Sequence, residues 1–213
     1  MNRREIRLPA AAWTAGLLLA LAAGLTPATT GRALAGQDAR GAPTEAAAAA
    51  RTQIEAGYAK ISAAFRRKDV PGLMAFATAD FQAKVGPNRT LNRAQAQQNL
   101  QQNVDTIRSV REDRYTLDRL VLTGPDAVAH VTERFHVEFN DTRGEFGAVG
   151  KSHRLSGTTR YRDTWTSQGM DNAGAWRMKR SEIVSTRLLL DGRPYRPSRT
   201  RPKGSGTQRK KAG

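Results

Sequence analysis

Two acidic residues lie at alternating positions of predicted β-strands whose other residues on the same face are mostly apolar or aromatic. In residues 157–165 the odd positions from 159 onward read Thr159, Tyr161, Asp163 and Trp165. In residues 127–139 every odd position is apolar except Glu133. Because side chains alternate between the two faces of a strand, Asp163 and Glu133 are predicted to point into an apolar interior. Burial raises the pKa of a carboxyl group, which suits it to act as a general acid or base.

The last long predicted strand carries two charged residues on the face that begins with tryptophan. Its even positions read Trp176, Met178, Arg180 and Glu182. If this face also points inward, the Arg180 guanidinium lies beside the acids and holds them ionised. Two interpretations therefore stay open: Asp163 or Glu133 transfers a proton, or the charges form a structural arginine–carboxylate network. Buried charges are normally paired whether or not they are functional, which favours the network.

No set of residues in the sequence indicates a metal or a nucleotide cofactor. His130 and His136 lie six residues apart on one strand, which corresponds to about 20 Å, so they are too far apart to share a metal ion. The chain contains no cysteine. It also lacks an H-x-x-x-H motif, a glycine-rich phosphate loop and a G-x-S-x-G motif. We therefore expect no cofactor and no metal.

Three helices are expected to precede the long strands and to cover the apolar face of the sheet. Apolar residues at spacings of four, three and four predict an amphipathic helix over residues 45–67: Ile54, Tyr58, Ile61 and Phe65. Asp69 is placed to cap a short second helix, whose apolar face includes Phe76. Asn92, with Gln95 three residues later, is typical of a capping box and predicts a third helix over residues 93–108.

Alternation typical of strands dominates the rest of the chain. A short strand is expected at 81–85, and longer ones are expected at 115–122, 127–139, 157–165 and 176–185. The last two form a hairpin that Trp165 and Trp176 close from its two sides, and residues 140–152 are expected to form a loop. This order predicts an α+β fold, with the helices packed on one face of a four-stranded antiparallel sheet.

Several short stretches match one known superfamily in their order and spacing. They are residues 64–69, where a helix ends at an acid, residues 73–81, residues 90–93, and residues 160–165 with Trp176-Arg-Met and Ser185 further on. Together they resemble the nuclear transport factor 2-like superfamily, in its SnoaL-like and ketosteroid-isomerase-like branch, over about residues 45–190. The resemblance implies a cone-shaped fold, in which a strongly curved sheet wraps around the helices and leaves a pocket at the open end. It also implies a homodimer that pairs through the sheet.

The resemblance leaves the function open, because this superfamily includes isomerases, dehydratases and cyclases as well as binding modules. With the inward faces chosen above, the pocket would be lined by Tyr58, Phe76, Tyr161, Trp165, Trp176, Met178, Arg180 and Glu182. We expect the domain to bind a small apolar or amphipathic molecule without catalysis. The alternative is a cofactor-independent isomerase, dehydratase or cyclase that uses Asp163 or Glu133. The acid base and tyrosine–acid oxyanion hole of ketosteroid-isomerase-like members have no residue-by-residue match here.

The beginning of the chain resembles an export signal. Residues 1–35 combine Arg3 and Arg4, an apolar run of 16 residues and the small-residue pattern Ala33-Leu34-Ala35. A single anchoring helix is the alternative, but the run is shorter than the roughly 20 residues that span a bilayer. The start also resembles a twin-arginine signal. We therefore expect an exported protein, periplasmic or secreted, in which residues 36–44 form a linker and residues 45–192 form the folded domain.

The end of the chain is strongly basic. Residues 193–213 contain eight Lys or Arg and no acid, which is half of the formal net charge of +16. Their Pro-, Gly- and Ser-rich composition predicts a disordered tail. Such a tail contacts anionic surfaces by charge alone or serves only solubility, and it indicates no specific nucleic acid. A third hypothesis is therefore an envelope-associated dimer that uses the tail to hold a polyanion.

Overall fold

The computed structural model describes residues 45–195, except 87, 143, 145 and 169–174. Three helices are found in this part of the chain: α1 (Glu45–Arg66), α2 (Val70–Met74) and α3 (Arg93–Val104). The strands are β1 (Ala77–Gly86), β2 (Arg89–Asn92), β3 (Ile107–Thr123), β4 (Asp126–Asn140), β5 (Ser152–Ser167), β6 (Trp176–Leu190) and β7 (Arg193–Tyr195). None of the described helices combines the length and the apolar character of a membrane span.

The helices begin where the capping residues predict. The predicted stripe of α1 is buried against the sheet, with Ile54 and Ile61 almost inaccessible to solvent. The Asp69 carboxylate accepts a hydrogen bond from the Gly72 N–H at 2.9 Å and caps α2. Asn92 and Gln95 form the predicted capping box of α3. This helix ends at Val104, earlier than expected, and residue 107 already belongs to β3.

The described strands form a single sheet in the order β2-β1-β6-β5-β4-β3, with β7 paired to β6. All pairs are antiparallel except β1 with β6, which is parallel. The strand predicted at 81–85 corresponds to β1, which is longer than expected. Its pairing with β6 extends the predicted four-stranded sheet. Phe81, Ala83 and Val85 are buried and alternate with more exposed residues. One face of β1 is therefore buried beneath α3.

Two β-bulges interrupt the pairing of β5 with β6. Thr164 pairs with Arg180 and Trp165 pairs with Met178, so Lys179 is an extra residue in β6. Arg160 pairs with Ser185 and Tyr161 with Ile183, which makes Val184 a second extra residue. Each bulge bends the strand and reverses which residues of β6 face inward.

The turn after β6 brings more of the chain into the sheet than expected. Asp191 and Gly192 both have positive φ angles of 51° and 81°, a backbone typical of tight hairpin turns. Residues 193–195 then pair with β6 as β7. The predicted tail therefore begins within a strand, while residues 196–213, the predicted signal at 1–35 and the predicted linker at 36–44 lie outside the described residues.

Candidate functional site

Asp163 lies on the inner face of β5 and is held by two hydroxyl groups. Only 2% of its surface is exposed. One carboxylate oxygen accepts a hydrogen bond from the Ser181 hydroxyl at 2.6 Å, and the other accepts one from the Tyr58 hydroxyl at 2.7 Å. Burial raises the pKa of Asp163 to about 6, although these two hydrogen bonds oppose the shift. No described lysine, arginine or histidine forms an ion pair with it.

Tyr58 connects this acid to the aromatic interior. Its hydroxyl donates to Asp163 and accepts a hydrogen bond from the Trp165 indole nitrogen at 3.0 Å. Its ring stacks on Tyr115 with centroids 5.3 Å apart and meets the edge of Trp165 at 5.2 Å. Because Tyr58 is on α1 and its partners are on β3 and β5, the contacts fix the helix against the sheet.

Glu133 is the second predicted acid, and it too is held by hydroxyl groups. It lies on β4 with 1% of its surface exposed. Its two carboxylate oxygens accept hydrogen bonds from Tyr115 at 3.0 Å and from Tyr161 at 2.7 Å. Burial raises the pKa of Glu133 well above its usual range, and the charge of nearby Asp113 raises it further. Asp163 and Glu133 thus both lie inside, as the alternation predicts, and each is bound by tyrosine.

Asp113 completes this group, and the sequence reasoning missed it. Its side chain is fully buried, and burial raises its pKa to about 6. Neither carboxylate oxygen of Asp113 has a hydrogen-bond partner among the described residues, since Ser62 and Arg66 donate to its main-chain oxygen instead. The Glu133 side chain lowers the pKa of Asp113, and the charge of Asp113 raises the pKa of Glu133. The two carboxyl groups therefore titrate as a pair.

The position of Asp113 was recognisable from strand alternation. Asp113 shares one face of β3 with Tyr115 and Leu117, both at inward positions. The strand predicted from the sequence begins at Tyr115, whereas β3 begins at Ile107 and includes the charged run Arg111-Glu-Asp-Arg114. An earlier start of this strand would have placed a third acid in the interior.

Arg180 and Glu182 were predicted to point inward and do not. Arg180 is exposed, and Glu182 lies on the outer face, where its carboxylate binds Lys84 at 2.6 Å and also Arg162. The reason is the bulge at Lys179, which shifts the alternation by one residue. Ser181 takes the inward position, so Asp163 meets a hydroxyl group instead of a guanidinium. The predicted arginine–carboxylate network therefore does not form around either acid.

A small apolar cavity lies beside the Asp163 cluster, between the helices and β6. It has room for about one water molecule. Its lining residues come from α1, α2, α3, β1 and β6 and the turn before β1: Ile61, Leu73, Met74, Phe76, Ala77, Phe81, Leu100 and Met178. Ile61 lies one helical turn from Tyr58, and Met178 pairs with Trp165, so two lining residues are direct neighbours of cluster residues.

Only part of the predicted pocket lines this cavity. Phe76 and Met178 do, whereas Tyr58, Tyr161 and Trp165 pack around the acids. Trp176 is buried at the start of β6, and its indole nitrogen has no described hydrogen-bond partner. Neither Asp163 nor Glu133 reaches the cavity wall. Within the described ranges, no three His, Asp or Glu side chains cluster in a way that suits a metal ion.

Comparison with known proteins finds matches at the level of structure. No protein-family model matches the sequence, and no curated protein matches it. A candidate scytalone dehydratase from Novosphingobium aromaticivorans has a TM-score of 0.55 and 17% identity, over 68% of this chain and 90% of that one. LinA has a TM-score of 0.52 and 13% identity, over 70% and 92%. An NTF2-like protein from Cytophaga hutchinsonii has a TM-score of 0.48 and 16% identity, over 63% and 97%.

The two similarities with TM-scores above 0.5 confirm the fold that the sequence motifs suggested. At such low identities they concern the fold alone and carry no activity with them. The described chain has three helices that precede the long strands β3 to β6 and pack on one face of a sheet in which antiparallel pairs dominate. The protein is therefore an α+β domain with the fold of the nuclear transport factor 2-like superfamily.

Proposed function

We propose that this domain binds a small, largely apolar molecule that carries a hydroxyl or carbonyl group. The observation that supports the proposal most is an apolar cavity whose lining neighbours a buried acid–hydroxyl cluster, which forms no ion pair with any described Lys, Arg or His. A ligand pocket commonly combines an apolar lining with a few polar groups that fix the orientation of the ligand. Here the apolar part would occupy the cavity, and Asp163 with Tyr58 would bind the polar group.

The cavity must widen for such a ligand to enter, and two methionine side chains in its lining can move to allow this. Met74 and Met178 contribute unbranched side chains with three rotatable bonds, which adapt readily to a ligand. Met178 also lies opposite Trp165, whose indole reaches the Tyr58 hydroxyl. A rotation of Met178 would therefore join the cavity to the Asp163 cluster.

A binding titration with a chosen probe tests this proposal. The neutral phenol 2-naphthol is titrated into the full chain while the tryptophan fluorescence is recorded. Ala77 lines the cavity and Ala79 is exposed on the same strand, so Ala77→Leu fills the cavity and Ala79→Leu is the matched control. We expect saturable binding that Ala77→Leu weakens at least about tenfold, the scale of one misplaced contact in a pocket, and Ala79→Leu leaves unchanged. Equal affinities of the two variants would exclude the cavity as the binding site.

Proton transfer by Asp163 is the second candidate function. Its carboxyl is buried and forms no ion pair with a described residue, and its pKa of about 6 leaves it mainly in the base form at neutral pH. Among the structural neighbours, a candidate scytalone dehydratase shares the fold. A carboxylate with this pKa would remove a proton next to a carbonyl group without any cofactor.

Exchange of the α-protons of 2-tetralone with deuterated solvent, followed by NMR, tests for this chemistry. We expect the enzymatic rate to rise with pH through about 6, because the base must be ionised. Asp163→Asn should lower that rate by about 10²-fold or more, whereas Asp118→Asn on the outer face should not change it. Equal rates in Asp163→Asn and the unmodified chain would exclude Asp163 as the base.

We also propose that residues 1–35 export the domain. The support is the charged start, the apolar run and the Ala33-Leu34-Ala35 pattern. The N-terminal sequence of the protein recovered outside the cytoplasm should begin after Ala35. Arg3→Lys with Arg4→Lys should stop export only if the signal is of the twin-arginine type. The proposal would be contradicted if the protein were found only in the cytoplasm and only in its uncleaved form.

A further inference from the structure

Four arginines form a cluster on the outer face of the sheet, away from the helices. Arg114, Arg134 and Arg187 occupy one transverse row across β3, β4 and β6, where Thr158 of β5 fills the fourth place. Arg160 lies two residues further along β5. Neighbouring strands are about 5 Å apart, so these side chains share one patch, which we call the arginine face.

The arginine face has no partner among the described residues. All four side chains are exposed, and none forms an ion pair or a side-chain hydrogen bond with a described residue. Of the nearby acids, Glu182 and Glu138 form ion pairs with other basic residues, and Glu112 lies two residues from Arg114 on the same face. Four arginines beside one such acid leave the patch with a net positive charge. Arg114 and Arg134 stand directly opposite each other, an arrangement that destabilises a sheet. An anionic partner would remove this repulsion.

Exposed aliphatic side chains accompany the charges on β6. Val184, the second bulge residue, is 61% exposed, and Leu189 is 41% exposed. They lie on either side of Arg187 along the strand, and Leu189 is on the same outer face. Mixed basic and aliphatic side chains suit a membrane surface, where arginine binds lipid phosphate and aliphatic groups enter the headgroup region.

The same observations tell against two other occupants. In a symmetric pair of copies whose two-fold axis passes through the arginine face, like charges would oppose each other. Single-stranded nucleic acid is usually held by aromatic side chains that stack on bases. The large apolar side chains exposed in the described part of the chain are all aliphatic: Val121, Val149, Val184 and Leu189.

We propose that the arginine face docks this domain on membranes that contain anionic phospholipids. The phosphate of the lipid is the group that the guanidinium forks recognise. The interaction needs no cofactor and no change of fold. It is independent of ligand binding in the interior, because the arginines and the acid cluster lie on opposite faces of the sheet.

Co-sedimentation of the full chain with vesicles tests the docking. Vesicles of phosphatidylcholine with phosphatidylglycerol are compared with vesicles of phosphatidylcholine alone. The variant Arg134→Gln/Arg187→Gln is matched by Lys60→Gln/Arg67→Gln, at exposed positions of α1 and directly after it, which removes the same charge. We expect the arginine-face variant to lose affinity for the anionic vesicles about tenfold or more, and the control to lose less than about twofold. Added salt should weaken binding by the unmodified chain.

Every variant keeps both ends of the chain, so differences between them come from the folded domain. Val184→Asn/Leu189→Gln should weaken vesicle binding by several-fold and leave binding of inorganic polyphosphate unchanged. Equal losses in the arginine-face variant and its control would show that only net charge matters. Binding of polyphosphate without binding of anionic vesicles would mean that the partner is a soluble polyanion. Either result would overturn the proposal.

Discussion

At the scale of single residues, the interior of this protein is unusual in its acids. Asp113, Glu133 and Asp163 are all almost completely buried, and no described cation forms an ion pair with any of them. Hydroxyl groups from tyrosine and serine bind two of the three. Burial of an unneutralised carboxylate favours its protonated form. The interior is therefore stable when these groups hold protons and becomes less stable as they ionise.

Replacement of Asp163 by asparagine should reduce the pH dependence of stability. The pKa of Asp163 is raised from 3.8 to about 6 in the folded state, so the folded protein binds the proton more tightly than the unfolded chain does. Its contribution is fully present below about pH 4 and is lost as pH rises through about 6. The difference in the free energy of unfolding amounts to about 3 kcal/mol at most. Urea unfolding at about pH 4 and pH 7 measures it.

The comparison between the two chains isolates this one group, because the other acids titrate in both. Asp163→Asn should show a smaller fall in stability between the two pH values than the unmodified chain. Asp118→Asn, on the outer face, serves as the control and should behave like the unmodified chain. The same fall in Asp163→Asn as in the unmodified chain would mean that Asp163 has an ordinary pKa.

At the scale of elements, strand alternation predicted the site where the register is regular and failed where it is not. The pairing of β4 with β5 runs without interruption, so Glu133, Tyr161 and Asp163 lie where the alternation places them. In β6 the bulges at Lys179 and Val184 shift the alternation. Neither bulge is marked in the sequence by a glycine or another local signal. The position of each bulge depends on how β6 pairs with the neighbouring strand. Arg180 and Glu182 were therefore assigned to the wrong face.

Deletion of Lys179 tests the importance of the bulge. Without the extra residue, Arg180 follows Met178 directly, so it stays opposite Thr164 on the outer face and Ser181 stays opposite Asp163. We therefore expect the deletion to cost less than about 2 kcal/mol, because every inward residue keeps its partner. Lys179→Ala keeps the bulge and should change stability by less than about 0.5 kcal/mol. Thermal unfolding followed by circular dichroism measures both. If β6 had no bulge, the deletion would turn every later residue to the opposite face, so a loss of about 3 kcal/mol or more would contradict the assigned register.

At the scale of the whole molecule, the folded unit extends slightly beyond the boundary expected from composition. Residues 193–195 were assigned to the basic tail, but they pair with β6, and the Tyr195 ring lies 5.5 Å from that of Phe146. The Pro and Arg content of these residues predicts disorder, but the Asp191-Gly192 turn returns the chain to the sheet. The predicted homodimer, export signal and tail function stay predictions.

Two truncations test where the domain ends. A chain that stops after Tyr195 should unfold at a free energy within about 0.5 kcal/mol of the full chain, since it keeps every described strand. A chain that stops after Gly192 loses β7 and the contact of Tyr195 with Phe146, and it should be less stable by about 1–2 kcal/mol. Urea unfolding at one pH compares them. Equal stabilities would mean that β7 adds nothing to the fold.

The most direct test is a pH titration of the side-chain carboxyl carbons by NMR, in the unmodified chain and in Asp163→Asn. We expect one resonance, absent from the variant, to titrate with a pKa of about 6. Such a value would show that Asp163 lies in the interior without a neutralising cation, as both the binding and the proton-transfer proposals require. If the resonance titrates near pH 4 like an exposed aspartate, the account of the site is wrong.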